Sequence, residues 1–126
     1  MPTMTTTETT AIPTEAVIDT YFASWNEPDR ARRVQLVADS WIDAAHYVDP
    51  LSDVTGHDGI ADMMEGVRAQ FPGATLQRTS DIDAHHDVIK FAWSATGADG
   101  AVIVAGTDVG VLGADGKLSA IAGFFS

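Results

Sequence analysis

Two short segments, Gly97-Ala98-Asp99-Gly100 and Gly113-Ala114-Asp115-Gly116, each end in Asp-Gly, and each separates runs rich in strand-forming residues. Asp-Gly between such runs is a strong hairpin signal, because the turn it favours matches the twist of the flanking strands. With His85-His86-Asp87 these segments divide the chain after Gly73 into strand-like runs at 75–84, 88–96, 101–112 and 117–125. Connections this short make antiparallel neighbours, so the second half of the chain reads as a meander.

The first half reads differently. Thr14 follows Pro13 and is placed to cap a helix that has Glu15 in its first turn. Val17, Ile18, Tyr21, Phe22 and Trp25 recur at helical spacing, and Asn26-Glu27-Pro28-Asp29 ends the run. A second helix is expected over 30–40, with Val34, Leu36, Val37 and then Trp41 as apolar residues and Arg30, Arg32 and Arg33 at a polar start. His46-Tyr47-Val48-Asp49 reads as a short strand stopped by Pro50, and 51–56 as a loop. Ile60, Met64, Val67 and Phe71 form a helical stripe over 58–71, closed by Pro72-Gly73. Helices followed by a run of strands make an α+β fold, with the helices on one face of a curved sheet. Residues 1–12 are Thr-rich with almost nothing to bury and are expected to form a disordered tail, leaving one domain over 13–126.

Charge and composition narrow the function. The chain of 126 residues carries 18 acidic and 7 basic side chains, a net charge of −11, which argues against nucleic acid or an anionic membrane as partner. No cysteine is present, so a disulfide scaffold, a thiolate zinc site and a cysteine nucleophile are excluded, and nothing opposes a reducing, cytoplasmic setting. No basic segment leads into an apolar core as in a secretory signal, and no apolar run approaches the ~18 residues of a membrane span.

The 101–112 run is informative because both its faces are apolar. Val102, Val104, Gly106, Asp108, Gly110 and Leu112 share one face, and Ile103, Ala105, Thr107, Val109 and Val111 the other. Helices of the same chain can cover one face. The other calls for a partner, and the expectation is a homodimer through the outer sheet face. Asp108 sits among small and apolar neighbours, where a carboxylate is costly unless paired or protonated.

Other candidates are weaker when taken singly. Asp49 precedes Pro50, a common turn start, and Tyr21 lies on the apolar stripe of the first helix. Trp25, Trp41, Phe91, Trp93 and Phe125 supply core or an apolar pocket wall. His86 could stand at a pocket mouth beside His85, and His46 and His57 have no informative neighbours. The acids and histidines of 81–87 lack the spacing of a metal site. G-x-S-x-G, G-x-G-x-x-G and the P-loop are all missing, so neither a serine nucleophile nor a nucleotide cofactor is indicated.

Tyr21-Phe22-Ala23-Ser24-Trp25-Asn26, Tyr47-Val48-Asp49-Pro50, Gly56-His57-Asp58-Gly59-Ile60, Gly106-Thr107-Asp108 and Asp115-Gly116-Lys117-Leu118 together resemble the nuclear transport factor 2-like superfamily. The similarity is to its SnoaL-like group of polyketide cyclases and steroid delta-isomerases. The resemblance implies a cone: a strongly curved antiparallel sheet wrapped around three N-terminal helices, with an apolar pocket inside. It also implies a cofactor-free acid–base enzyme acting on a small apolar ketone by isomerisation or aldol cyclisation. Asp49 would be the general base, and Tyr21 and a protonated Asp108 would donate to the enolate oxygen. Trp25, Trp41, Met64, Phe91, Trp93, His86, Ile121 and Phe125 would contact substrate. Met64 stands where the isomerases have a second tyrosine. Arg78 is the sole arginine of the sheet region, which ranks epoxide hydrolysis lower. The alternative is a small-ligand-binding or dimeric assembly domain of the same fold without chemistry.

Overall fold

A computed structural model describes residues 12–126. The expected tail therefore lies almost wholly outside the described residues. Helix α1 spans Thr14–Asn26, and its buried residues include all five of the apolar stripe, Val17, Ile18, Tyr21, Phe22 and Trp25. Thr14 does not cap it: Pro13 holds that position, without a side-chain hydrogen bond. Proline suits a helix start because its ring fixes φ and the first turn needs no donor from it. Helix α2, Arg30–Ser40, is capped by Asp29, whose carboxylate accepts from the Arg32 N–H at 3.0 Å.

One residue of the expected polar start behaves otherwise. Arg33 is 2% exposed. Its guanidinium donates to the Glu27 carbonyl at 3.1 and 2.8 Å and to the Pro28 carbonyl at 3.2 Å, and so fixes the α1–α2 corner.

Strand β1 is longer than its sequence suggests, Trp41–Asp49, and the expected loop after it contains a strand, β2, Ser52–Thr55. The two pair antiparallel around Pro50-Leu51. Helix α3, Gly56–Gln70, starts from a glycine at φ +77°, a backbone setting that favours glycine. The 75–84 run divides into β3, Thr75–Arg78, and β4, Asp83–His85, and both pair with β5, Val88–Thr96. Strands β6, Val102–Leu112, and β7, Leu118–Phe125, complete the meander across the Asp-Gly turns.

The sheet runs β2-β1-β7-β6-β5-β3, with β4 beside β5. It is mixed, because β1 joins β7 in parallel. The chain thus forms the expected α+β cone, three helices against a curved, unclosed seven-stranded sheet. The core packs Ile18, Val37, Trp41, Ile60, Met64, Ile89, Phe91, Leu118 and Ile121 between helices and sheet. Asn26 ties α1 to the sheet: its side-chain amide donates to the Leu76 carbonyl at 2.9 Å and accepts from the Leu76 N–H at 2.8 Å. Among the described residues, no helix is long and apolar enough to cross a membrane.

Candidate functional site

On β6, residues at even positions face the helices, and this alternation carries Asp108 inward, where it is 3% exposed. Its registered neighbours are Phe91 on β5 and Gly123 on β7. From α1, the Tyr21 hydroxyl donates to Asp108 Oδ2 at 3.0 Å. From β1, which lies along the other side of β7, the Tyr47 hydroxyl donates to Asp49 Oδ2 at 2.6 Å. Asp49 Oδ1 accepts from the Leu51 N–H at 2.8 Å, an aspartate-turn contact that closes the β1–β2 hairpin.

Gly123 brings the two pairs together. A Cβ on it would lie 3.0 Å from Asp108 Oδ1, 3.3 Å from Asp49 Cβ and 3.6 Å from the Tyr47 hydroxyl. The space of one absent side chain is thus shared by two carboxylic acids and a phenol.

These groups face a cavity of about 270 Å³. Besides Tyr21, Tyr47, Asp49 and Asp108, its wall includes Trp25, Trp93, Val67, Leu76, Ala95 and Val104. Leu51, Phe71, Ile103 and Phe125 also line it and are exposed, as is Gln70, so its opening is largely apolar. The Trp25 and Tyr47 rings meet at 62° and those of Trp93 and Phe125 at 78°, forming corners in the wall.

The electrostatics follow from burial. Desolvation, with the charge of Asp49 adding to it, raises the Asp108 carboxyl from 3.8 to about 7 against the opposing effects of donation from Tyr21 and of the nearby Trp93 indole. Burial and then the Asp108 charge hold the Tyr21 phenol well above its usual range. Burial and the bond to Asp49 do the same for Tyr47. The indole N–H groups of Trp25 and Trp93 are buried and make no hydrogen bond of good geometry, although they lie close to Tyr21 and Asp108 respectively. Near neutral pH the site therefore offers a carboxyl shared between acid and base forms, two protonated phenols, and Asp49 as a hydrogen-bonded acceptor.

The SnoaL-like domain model matches residues 18–121. The chain belongs to the SnoaL-like domain family. No curated protein matches it. Among solved structures, this SnoaL-like chain is similar to a candidate isomerase of the SnoaL-like family from Agrobacterium tumefaciens, at 37% identity and a TM-score of 0.84 over 88% of this chain and 95% of that one. A candidate polyketide cyclase from Sinorhizobium meliloti shares 12% identity at a TM-score of 0.68, covering 89% and 94%. A protein from Catenulispora acidiphila with a ketosteroid isomerase-like fold, in complex with trimethylamine, shares 13% at 0.70, covering 87% and 85%. These last two show the fold.

The SnoaL-like fold distributes the expected site residues unequally. Tyr21, Asp49 and Asp108 share the cavity wall with Trp25, Trp93 and Phe125. Trp41, Met64, Phe91 and Ile121 do not line it; each is packed in the core, with 0 or 1% exposure. Phe91, for example, meets Phe22 edge to face at 5.6 Å, which fixes it as packing. His86 is also elsewhere: it sits at φ +52° in the exposed β4–β5 turn, with His85 against it. Tyr47 is the residue that sequence reasoning missed. It supplies a second tyrosine to the site from β1, hydrogen-bonded to Asp49 and not to Tyr21, and the signal was the alternation that puts Tyr47 and Asp49 on one face of the strand.

Proposed function

We propose that this cavity catalyses proton transfer at a carbon next to a ketone, in a small apolar substrate and without a cofactor. The observation that carries the reading is the Tyr21–Asp108 pair, with Asp49 beside it, in a largely apolar wall. Asp49 takes the proton from the α-carbon. The electron pair of that C–H bond becomes the enolate C=C, and the carbonyl π pair moves to oxygen. Tyr21 and the acid form of Asp108 donate to that oxygen. Isomerisation follows when Asp49 returns the proton to a different carbon of a conjugated enolate; cyclisation follows when the enolate carbon attacks a second carbonyl of the same molecule, whose π pair moves to oxygen and takes the proton that Asp49 holds. Surrounding apolar side chains strengthen these hydrogen bonds by excluding water. The 37% identical structure of a candidate isomerase supports the isomerase branch.

The experiment is exchange of α-protons for deuterium, followed by NMR, across a panel of cyclic and linear enolisable ketones. Catalysed exchange that falls at least about a hundredfold in both Asp49→Asn and Asp108→Asn, with folding verified by circular dichroism, supports the assignment. Unchanged rates in both variants overturn it.

A second reading, a ligand-binding module without turnover, is favoured by one observation: both oxygens of Asp49 already hold structural hydrogen bonds. Ketones that bind tightly and are recovered with every α-proton intact point to it.

A further inference from the structure

We propose that the same cavity is a receptor site for a small alkylammonium ion, seated against its aromatic walls and neutralised by Asp108 and Asp49. This inference does not depend on the enolisation chemistry. Among the described residues, the charged side chains lining the cavity are the two aspartates, and no lysine, arginine or histidine lines it. The groups facing Asp108 are Tyr21 from α1, Tyr47 and Asp49 from β1, and Phe91 and Trp93 from β5, while β7 offers only Gly123. None of them is positive.

The hydrogen bond that Asp108 does receive favours a charged carboxylate. Tyr21 donates to it, and Trp93, itself 8% exposed, keeps a buried indole N–H beside it that has no other acceptor. Gly106 makes this approach possible: a Cβ there would lie 2.7 Å from Trp93 Cζ2 and 3.0 Å from Cε2, so the indole rests on bare backbone. The Tyr21 donor favours the ionised form of Asp108 while burial opposes it, and a buried carboxylate that ionises needs a countercharge. Among the described residues no cation lines the cavity, and a cationic ligand supplies the countercharge where a proton does not.

The wall decides which cation fits. A metal ion would demand many oxygen ligands, which an apolar wall does not provide. Near-perpendicular aromatic pairs, Trp25 with Tyr47 and Trp93 with Phe125, instead suit a cation carrying alkyl groups, which gains from ring faces and apolar contact together. The net charge of −11 favours the approach of any cation.

A proton and an alkylammonium ion then compete for Asp108. Ammonium affinity falls about tenfold per pH unit below the Asp108 midpoint and levels off above it. A neutral ketone that needs the acid form of Asp108 shows the opposite trend.

The test is a titration of the full chain with choline and with its uncharged carbon isostere 3,3-dimethylbutan-1-ol, followed by NMR at pH 5, 6 and 8. Choline is expected to bind at pH 8 at least tenfold more tightly than the alcohol, and to lose that advantage by pH 5. Asp108→Asn is expected to flatten the pH dependence, and Trp93→Leu to weaken choline more than the alcohol. Equal binding of the two molecules by the wild-type chain at pH 8, or no binding of choline at millimolar concentration, overturns the proposal even if neither variant folds. The deuterium-exchange assay on ketones gives its answer separately, so the two readings fail by different measurements.

Discussion

Asp108 stands opposite Gly123 across the β6–β7 ladder, and its Oδ1 lies 3.0 Å from where a Gly123 side chain would begin. Glycine at this position serves close approach rather than a turn, since its lost Cβ volume is what Asp49, Tyr47 and Asp108 share. Gly123→Ala is expected to cost about 1–3 kcal/mol of stability by overpacking. It should also abolish ligand binding in the cavity, because the alanine methyl displaces the acids from one another. Urea denaturation and a binding titration on the same variant check both parts.

Tyr21→Phe removes a donor that helps hold Asp108 ionised. The Asp108 midpoint should therefore move upward from about 7. Carboxyl carbon NMR of aspartate-labelled protein reads this directly. A midpoint that stays in place or moves down would show that the Tyr21 hydroxyl points elsewhere in solution.

Asp108 also makes stability depend on pH. Its folded value of about 7 exceeds the ordinary 3.8, so between them the folded state binds more protons than the unfolded state. Its contribution is full at the acid end of that window and lost as pH rises towards about 7, at a slope of up to roughly 1.4 kcal/mol per pH unit. Asp108→Asn should remove that slope. The wild-type minus variant difference in unfolding free energy, measured from pH 4.5 to 8, isolates it from the other titrating groups.

Arg33→Met should lower stability by about 2–4 kcal/mol, a fall of roughly 10 °C in Tm, because the Glu27 and Pro28 carbonyls lose the buried guanidinium that ties them together. Arg32→Ala is the control. That side chain is largely exposed in its ion pair with Glu27, and its loss should stay within about 0.5 kcal/mol. Thermal scans of the two variants side by side test the contrast.

Periodic signals were the legible part of this chain. The stripe from Val17 to Trp25 and the Asp-Gly turns gave the helices and the meander, and strand alternation grouped Asp108 with Val104, Gly106 and Gly110, without showing that this face is the inner one. Four-residue β2 escaped because Ser52–Thr55 is too short for a pattern to stand out, and it exists through pairing with β1. The parallel β1–β7 joint left no local trace, since the two strands are far apart in sequence. Arginine patterning marks a polar helix start, yet Arg33 is buried because two backbone carbonyls at the α1–α2 corner converge on it. Trp93 lines the cavity while Trp41 packs the core. That difference depends on which neighbours fill the space beside each ring, and hydropathy has no information on it.

The β1–β7 joint has a consequence for how the chain is made. A nascent chain that has reached Leu112 already carries Tyr21, Asp49 and Asp108, but β1 then has only β2 for a partner. Strand β7, synthesised last among these elements, slots between β1 and β6 and brings the two acids to either side of Gly123. The juxtaposition of the two acids, the least favourable electrostatic feature of the fold, thus depends on the strand that is made last, when the other elements that hold it are already in the chain.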